Sequence, residues 1–229
     1  NKVLYMIHPR NKDTNRYPLF NELIPEYTLD NTLLDYGGSS GNLIYFSDGA
    51  INKSKYTCVD VVKDAIDTGQ LEFPDSNFIH WNRYNEMYNT NGIKKEPLPI
   101  LSNHDYIWGY SVFSHMILED IIEVILWMKS LNPKKIVMSY LNNDHDDNSN
   151  RVMNYFYQKR IKEFNSCVDF RLNKNSFFYL SDNEYGNKDS ELFISVYNTK
   201  WLSEQLEKYN IKIKKIHASN FSIPFLEIS

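Results

Sequence analysis

The stretch Leu33-Leu34-Asp35-Tyr36-Gly37-Gly38-Ser39-Ser40-Gly41 decides how the rest of the chain is read. Three of the chain's eight glycines crowd into residues 37–41, directly behind a short apolar run and an aspartate. A strand that turns sharply into a helix needs positive φ, and glycine supplies it without a Cβ penalty. A turn lacking side chains also lets a ligand approach the backbone, where the amides of the following helix face it. The stretch reads equally as a plain strand–helix turn with structural glycines, and alone it does not separate the two.

Working outward, residues 32–35 form a strand that runs into the turn, and residues 42–46 open the helix behind it. Residues 55–61, KYTCVDV, are a second, β-branched strand ending at Asp60. Asp60 stands 60 − 35 = 25 residues beyond Asp35. An acid at that distance can accept hydrogen bonds from both hydroxyls of a ribose. The two features together indicate a bound adenosine-like nucleoside. A dinucleotide site would want G-x-G-x-x-G, and from Gly37 that pattern meets Ser39 and Asn42 instead of glycine. No G-x-x-x-x-G-K-[ST] occurs, which removes a P-loop.

Further along, residues 62–68 read as a helix stopped by Gly69, and 77–82 as a third strand. A polar passage through Pro97 and Pro99 leads to a fourth strand over 104–111. Ile117, Ile121, Val124, Ile125 and Met128 recur at helical spacing within 114–131, and Pro133 ends that helix. Residues 135–141 are a fifth strand. After a polar break over 142–150 comes a helix over 151–164, then an irregular region to about Gly186 with one apolar patch at 177–180. A helix over 199–209 and two closing strands, 211–218 and 222–228, complete the chain. The first thirty residues read as a lead-in packed on the core, with a short helix near 19–24.

Strands alternating with helices predict an α/β fold, a mostly parallel sheet covered on both faces. Ligands bind such sheets beyond the carboxyl ends of the strands, which is where the glycine turn lies. At 229 residues one domain is expected: a lead-in over 1–30, a core over 31–141, an insert over 142–186 and a closing helix and strand pair over 187–229.

The formal charge of −4 leaves no general basic field for nucleic acid. Two cysteines, Cys58 and Cys167, form no zinc-holding pattern, and Cys58 reads as a small core residue. No run of about 20 apolar residues spans a membrane and no secretory signal opens the sequence, so a cytoplasmic protein is expected. Heavy use of Asn, Lys, Ile and Tyr resembles the proteome of an AT-rich bacterium.

The turn resembles the D-x-G-x-G-x-G turn of class I S-adenosylmethionine-dependent methyltransferases, with Asp35, Gly37 and Gly41 in register. It departs at Ser39, where the middle glycine is usual, while Gly38 stands one place earlier. The run HDYIWGYSVFSHM, with its closing Ser111-Val112-Phe113-Ser114-His115, is similar to the fourth-strand motif of the same family. The likeness covers about 31–141 and 199 to the end. It implies a Rossmann-like fold with a seven-stranded, mostly parallel sheet, an antiparallel last strand and helices on both faces. It also implies S-adenosylmethionine as cofactor and S-adenosylhomocysteine as product.

By the same resemblance Gly37, Gly38, Ser39 and Gly41 would line the methionine part of the cofactor, and Asp35 would meet its amino end, directly or through water. Asp60 would hold the ribose and Val61 would lie on the adenine face. Asn82 would meet the adenine amine, although an acid is commoner there, while Trp81 reads as core. Tyr110 and Ser111 would bound the cofactor at the fourth strand.

Methyl transfer is an in-line displacement in which positioning supplies much of the rate, and an alcohol acceptor gains from a base. His115 is the first candidate base, against a helix-capping or cofactor-contacting role. His145, within Asp144-His145-Asp146-Asp147, is the second. Those carboxylates could instead bind Mg²⁺ for a diol acceptor, or form a plain solvated loop; no metal is predicted. The insert carries Tyr155, Tyr157, Arg160, Arg171, Tyr179 and Tyr185, groups suited to a polyhydroxylated or phosphorylated small molecule. The expected reaction is O-methylation of a sugar or sugar nucleotide for bacterial surface polysaccharide. N-methylation of a peptide or natural-product amine, or a nucleoside-binding module without turnover, stay open.

Overall fold

The computed structural model of the chain describes residues 10, 14–85, 88–141, 197–217 and 224–229, together with the backbone of 176–181 and 192–196. The elements in order are α1 (Tyr17–Leu23), β1 (Leu33–Tyr36), α2 (Asn42–Phe46), β2 (Tyr56–Asp60), α3 (Lys63–Glu72), β3 (Asn77–His80) and β4 (Tyr106–Gly109). There follow α4 (Leu118–Ser130), β5 (Lys135–Ser139), β6 (Ser176–Ser181), β7 (Leu192–Tyr197), α5 (Thr199–Glu207), β8 (Ile213–His217) and β9 (Phe225–Ile228). Seven strands form one sheet in the order β3-β2-β1-β4-β5-β9-β8. Counted along the sheet's own strands this is 3-2-1-4-5-7-6 with an antiparallel last strand, as the resemblance implies. β6 and β7 form a separate antiparallel pair.

The chain divides into two compact units, Asn1–Tyr110 with Trp127–Val137 and Ser111–Leu126 with Met138–Ser229. In the first, β1 pairs in parallel with β2 and β4, and β2 with β3. Leu33, Leu34, Cys58, Val59 and Ile107 are fully buried there, the near-continuous apolar runs expected of strands covered on both faces. Side chains alternate across the sheet. One face carries Asp35, Cys58, Phe78 and Trp108, and Phe20 of α1 meets Trp108 edge-on at 5.6 Å. Tyr36 faces the other way, toward Trp127 at 5.9 Å.

The amino edge of this unit is clamped by Asp105. Its Oδ2 accepts the Thr32 backbone N–H and hydroxyl at 2.9 and 3.1 Å, and Lys134 pairs with its Oδ1 at 2.8 Å. Those bonds, the Lys134 one first, hold the Asp105 carboxyl down at about 2.

In the second unit the buried Tyr140 hydroxyl lies 2.6 Å from Thr199 Oγ1, and the Tyr197 hydroxyl donates to Met116 O at 2.9 Å. Asn198 caps α5 by accepting the Trp201 N–H at 3.0 Å. β8 and β9 pair antiparallel, with Glu227 bonded to His217 and Lys214 at 3.1 Å each.

Strand ends shift by one to three residues, β7 at Leu192–Tyr197 is not expected from the sequence, and three further differences have a physical reason. α3 continues through Gly69 to Glu72 instead of stopping there. A Cβ at Gly69 would overlap the Phe78 ring, so this glycine allows close helix–strand packing and ends nothing. The fourth helix begins at Leu118, because a 3₁₀ turn over Phe113–His115 is followed by Met116 in extended conformation. The patch at 177–180, expected to be irregular, is strand β6, paired from Ser176↔Tyr197 to Ser181↔Leu192. Alternation is weak in SFFYLS, and a pairing partner beyond the immediate sequence supplies the order. The helix expected over 151–164 lies outside the described residues.

Candidate active site

β1 ends at Tyr36 and the backbone then takes left-handed values at Gly37 (φ 74), Ser39 (φ 54) and Gly41 (φ 82). Gly37 N–H donates to Val59 O at 2.7 Å, which locks the turn to β2. Ser39 thus adopts the conformation that suits a glycine, at a cost of about 1–2 kcal/mol. Its N–H donates to Asp60 Oδ2 at 2.8 Å, which helps to offset that cost. The other Asp60 oxygen, Oδ1, accepts the Val62 N–H at 2.9 Å. The carboxylate is therefore fixed between the glycine turn and the start of α3, only 9% exposed.

Gly38 is required by space. A Cβ there would stand 2.5 Å from Asp35 Oδ2 and 2.9 Å from Cys58 Sγ. Asp35 is 3% exposed and its Oδ2 accepts the Tyr56 hydroxyl at 2.6 Å. Burial raises its carboxyl to about 7; the Tyr56 hydrogen bond opposes this and the Asp60 charge adds to it. Burial likewise pushes the Tyr56 hydroxyl and the Cys58 thiol well above their ordinary ranges. Cys58 is a core residue whose thiol faces Ser39 O at 3.5 Å.

Two buried atoms of the turn, Ser39 Oγ and Asn42 Oδ1, have no hydrogen-bond partner among the described residues. A buried polar atom left so costs about 1–3 kcal/mol, which a ligand donor would recover. With Asp35 beneath them they make the turn rich in acceptors. An ammonium group fits that character.

Beyond β2, Val61 is half-buried and its carbonyl lies 3.2 Å from His80 Nε2. Trp81 is 5% exposed and donates its Nε1–H to Pro97 O at 2.8 Å, so it is core, as read. Asn82 Oδ1 accepts from Asn89 Nδ2 at 3.1 Å, leaving its own amide N–H groups available for a ligand. Tyr110, just past β4, is half-buried with the Arg16 guanidinium 4.4 Å above its ring. Burial raises its hydroxyl pKa and Arg16 opposes the rise.

The first unit thus gathers Asp35, Gly37, Gly38, Ser39, Gly41, Asp60, Val61, Asn82 and Tyr110 along the carboxyl side of β1, β2, β3 and β4. In the second unit Ser111 takes φ 60 and its N–H donates to Ser139 Oγ at 2.6 Å. His115 closes the 3₁₀ turn there, half-buried, with its N–H on Val112 O at 2.9 Å. His145, the neighbouring Asp144, Asp146 and Asp147, and Tyr155, Tyr157, Arg160, Arg171 and Tyr185 lie outside the described residues, as do the side chains of β6, Tyr179 among them. Among the described residues no group of three or more His, Cys, Asp and Glu is placed to hold a metal. Nor is any of their helices long and apolar enough to cross a membrane.

Sequence reasoning passed over Asn42, Tyr56 and Arg10 as site residues. Arg10 donates to Ser40 O at 2.8 Å, pairs with Glu72 and lies 4.4 Å from the Tyr45 ring centre, tying the lead-in to the turn. Asn42 carried one signal, a polar residue heading an apolar helix. Tyr56 and Arg10 carried none, because their partners are distant in sequence.

No family model and no curated protein matches the chain. Solved structures do. An S-adenosylmethionine-dependent methyltransferase from Clostridium acetobutylicum is 9% identical, with a TM-score of 0.56 over 96% of this chain and 92% of that one. The glycopeptide N-methyltransferase MtfA, complexed with S-adenosylmethionine, is 7% identical, with a TM-score of 0.57 over 96% of each chain. DhpI, in a complex with S-adenosylmethionine and HEP, is 11% identical, with a TM-score of 0.59 over all of this chain and 91% of that one. At such identities the likeness is one of fold, and the fold is the Rossmann-like one of class I methyltransferases.

Proposed function

We propose that this chain, which has the class I methyltransferase fold, is a single-domain S-adenosylmethionine-dependent methyltransferase acting on a small polar acceptor. The observation that carries the reading is the Ser39 N–H bond to Asp60 Oδ2. It joins a glycine turn rich in acceptors to a carboxylate held in place one strand away. A nucleoside bearing an amino-acid tail needs both halves at that separation. S-adenosylhomocysteine, the product, would occupy the same residues.

In this reading the Asp60 carboxylate accepts the two ribose hydroxyls, held rigid by the Ser39 and Val62 amides. Asp35, Ser39 Oγ and Asn42 Oδ1 take the ammonium of the tail, while Gly37, Gly38 and Gly41 leave room for it. Val61 lies against the adenine and Asn82 meets its edge. Tyr110 and Ser111 bound the site at β4. The bound cofactor supplies an electrophilic methyl group, and the chain's task is to hold an acceptor atom in line with it. His115 is the first candidate to take the acceptor's proton, with His145 the second.

The finer proposal is O-methylation of a sugar or sugar nucleotide for bacterial surface polysaccharide, in the cytoplasm. It rests on the Tyr, Arg and Asn content of residues 142–186. The test is transfer of a labelled methyl group from S-adenosylmethionine to a panel of sugar nucleotides. A labelled product lost in His115→Ala, with cofactor affinity kept, supports both the reaction and the base. No labelled sugar removes the acceptor, and no cofactor binding removes the methyltransferase.

A further inference from the structure

Three rungs climb one face of β4. Tyr106, Trp108 and Tyr110 alternate along the strand, so their side chains leave on the same side. The lead-in meets each in turn. Tyr27 lies 5.9 Å from Tyr106, Phe20 lies 5.6 Å from Trp108, and the Arg16 guanidinium lies 4.4 Å above Tyr110. The spacings match: Arg16 and Phe20 are about one helical turn, roughly 5.4 Å, apart, and Trp108 and Tyr110 are two strand residues, roughly 6.6 Å, apart. The start of α1 therefore lies at the carboxyl side of β4. Asp35 pairs with Trp108, so β4 ends beside β1 where the glycine turn begins.

The two lower rungs are edge-on aromatic pairs, at 67° and 83°. A third aromatic would have closed the ladder, yet the chain puts a cation at the rung beside the site. The other described arginines are neutralised or bonded: Arg10 pairs with Glu72 and donates to Ser40 O, and Arg83 gives Nη1 to Glu96 O at 3.0 Å. Arg16 is half-buried and, among the described residues, no carboxylate pairs with it. It also hydrogen-bonds the neutral Tyr110 hydroxyl. A partly desolvated guanidinium whose partners are one ring and its neutral hydroxyl is poorly compensated for the loss of water. A guanidinium has five N–H donors, and those that remain can form the fork that carboxylates and phosphates fit.

We propose that Arg16, seated on Tyr110, binds an oxyanion carried by the methyl acceptor, a phosphate or a carboxylate. This rests on the methyltransferase reading and narrows its substrate class to anionic acceptors, pyrophosphate-linked sugars among them. Tyr110 is the platform that sets the plane of the fork, and Arg16→Lys loses that plane while keeping the charge.

Titration calorimetry on the full chain, with and without S-adenosylhomocysteine, tests it using inorganic phosphate, pyrophosphate and acetate as probes. At least one probe should bind the wild type. Arg16→Gln should weaken it by about tenfold or more, as loss of a charge-assisted pair implies. Arg16→Lys should weaken it less, and Arg83→Gln, another ring-stacked arginine, should leave it unchanged. Phosphate against acetate identifies the oxyanion. An unshifted thermal midpoint in Arg16→Lys shows that folding is not the cause. No probe binding, or binding indifferent to Arg16→Gln, overturns the proposal. S-adenosylhomocysteine affinity on the same wild-type sample separates the failures: if it binds and the anions do not, only this inference falls.

Discussion

Two aspartates mark opposite edges of the first unit and sit in opposite chemical states. Asp105, at the amino edge, meets Thr32 and Lys134, and those bonds hold its carboxyl down at about 2. Asp35, at the carboxyl edge, is buried under a glycine with one tyrosine for a partner, and its carboxyl rises to about 7. The first carboxylate is fully compensated and works as a clamp. The second is kept short of partners beside orphaned Ser39 Oγ and Asn42 Oδ1. Stability is given up at the edge where a ligand is expected and secured at the edge where none is. That contrast is what makes the turn the candidate site.

The strongest way to break the contrast is Gly38→Ala. Its Cβ would collide with Asp35 Oδ2 and Cys58 Sγ, both buried. We expect a loss of about 3 kcal/mol or more in urea unfolding and no measurable cofactor binding. Asp105→Ala comes next: loss of about 2–3 kcal/mol from its charged hydrogen bonds, with cofactor affinity unchanged by calorimetry. If Asp105→Ala weakens the cofactor as much as it weakens the fold, the division of labour between the edges is wrong.

pH sharpens the same comparison with a sign. The folded pKa of Asp35 lies above its unfolded value of 3.8, so the folded state retains a proton that the unfolded chain releases. Its contribution to stability is full below about pH 4, declines as the pH rises to about 7, and is level above that. Asp105 behaves oppositely: its contribution is present above about pH 4 and is lost as the pH falls toward 2. Urea midpoints against pH, in Asp35→Asn and Asp105→Asn, should each lose one of these slopes. Cofactor affinity should fall below about pH 7, by up to about tenfold per unit, as Asp35 takes up its proton. The groups facing Asp35 are Tyr56, Cys58 and Asp60, and Tyr56→Phe should move that midpoint upward because its hydrogen bond is lost. A pH-independent affinity would remove Asp35 from ammonium binding.

The smallest effect belongs to Ser39→Gly. It relieves a left-handed serine and should stabilise the fold by at most about 1 kcal/mol. Cofactor affinity should change less than threefold or so, since the backbone N–H on Asp60 remains.

The sequence was most legible where local chemistry and position coincide. Residues 35–41 and Asp60 needed only a strand end, a turn and a spacing, and the structure locks them together through Ser39 N–H. The mostly parallel sheet followed from strands alternating with helices, and its seven strands and antiparallel last strand from the resemblance of 35–41 and 111–115 to a known family. What stayed hidden depends on tertiary register. Nothing local to Tyr56 says that its hydroxyl reaches Asp35, and nothing in Arg16 says that it will crown a ladder on β4. Gly69 looked like a helix stop because its real constraint, the Phe78 ring, comes from the following strand. The strand over 176–181 failed as a prediction for the same reason, its partner lying at 192–197.

The central claim is that the Asp60 carboxylate, tied to the glycine turn, is the ribose acceptor of a methyl-donor site. Titration calorimetry with S-adenosylmethionine and S-adenosylhomocysteine, on the wild type and on Asp60→Ala, tests it most directly. We predict that both ligands bind the wild type and that the substitution weakens each by about a hundredfold or more, the loss of two charged hydrogen bonds. A wild type that binds neither ligand, or an Asp60→Ala protein that binds both as well as the wild type, would contradict it.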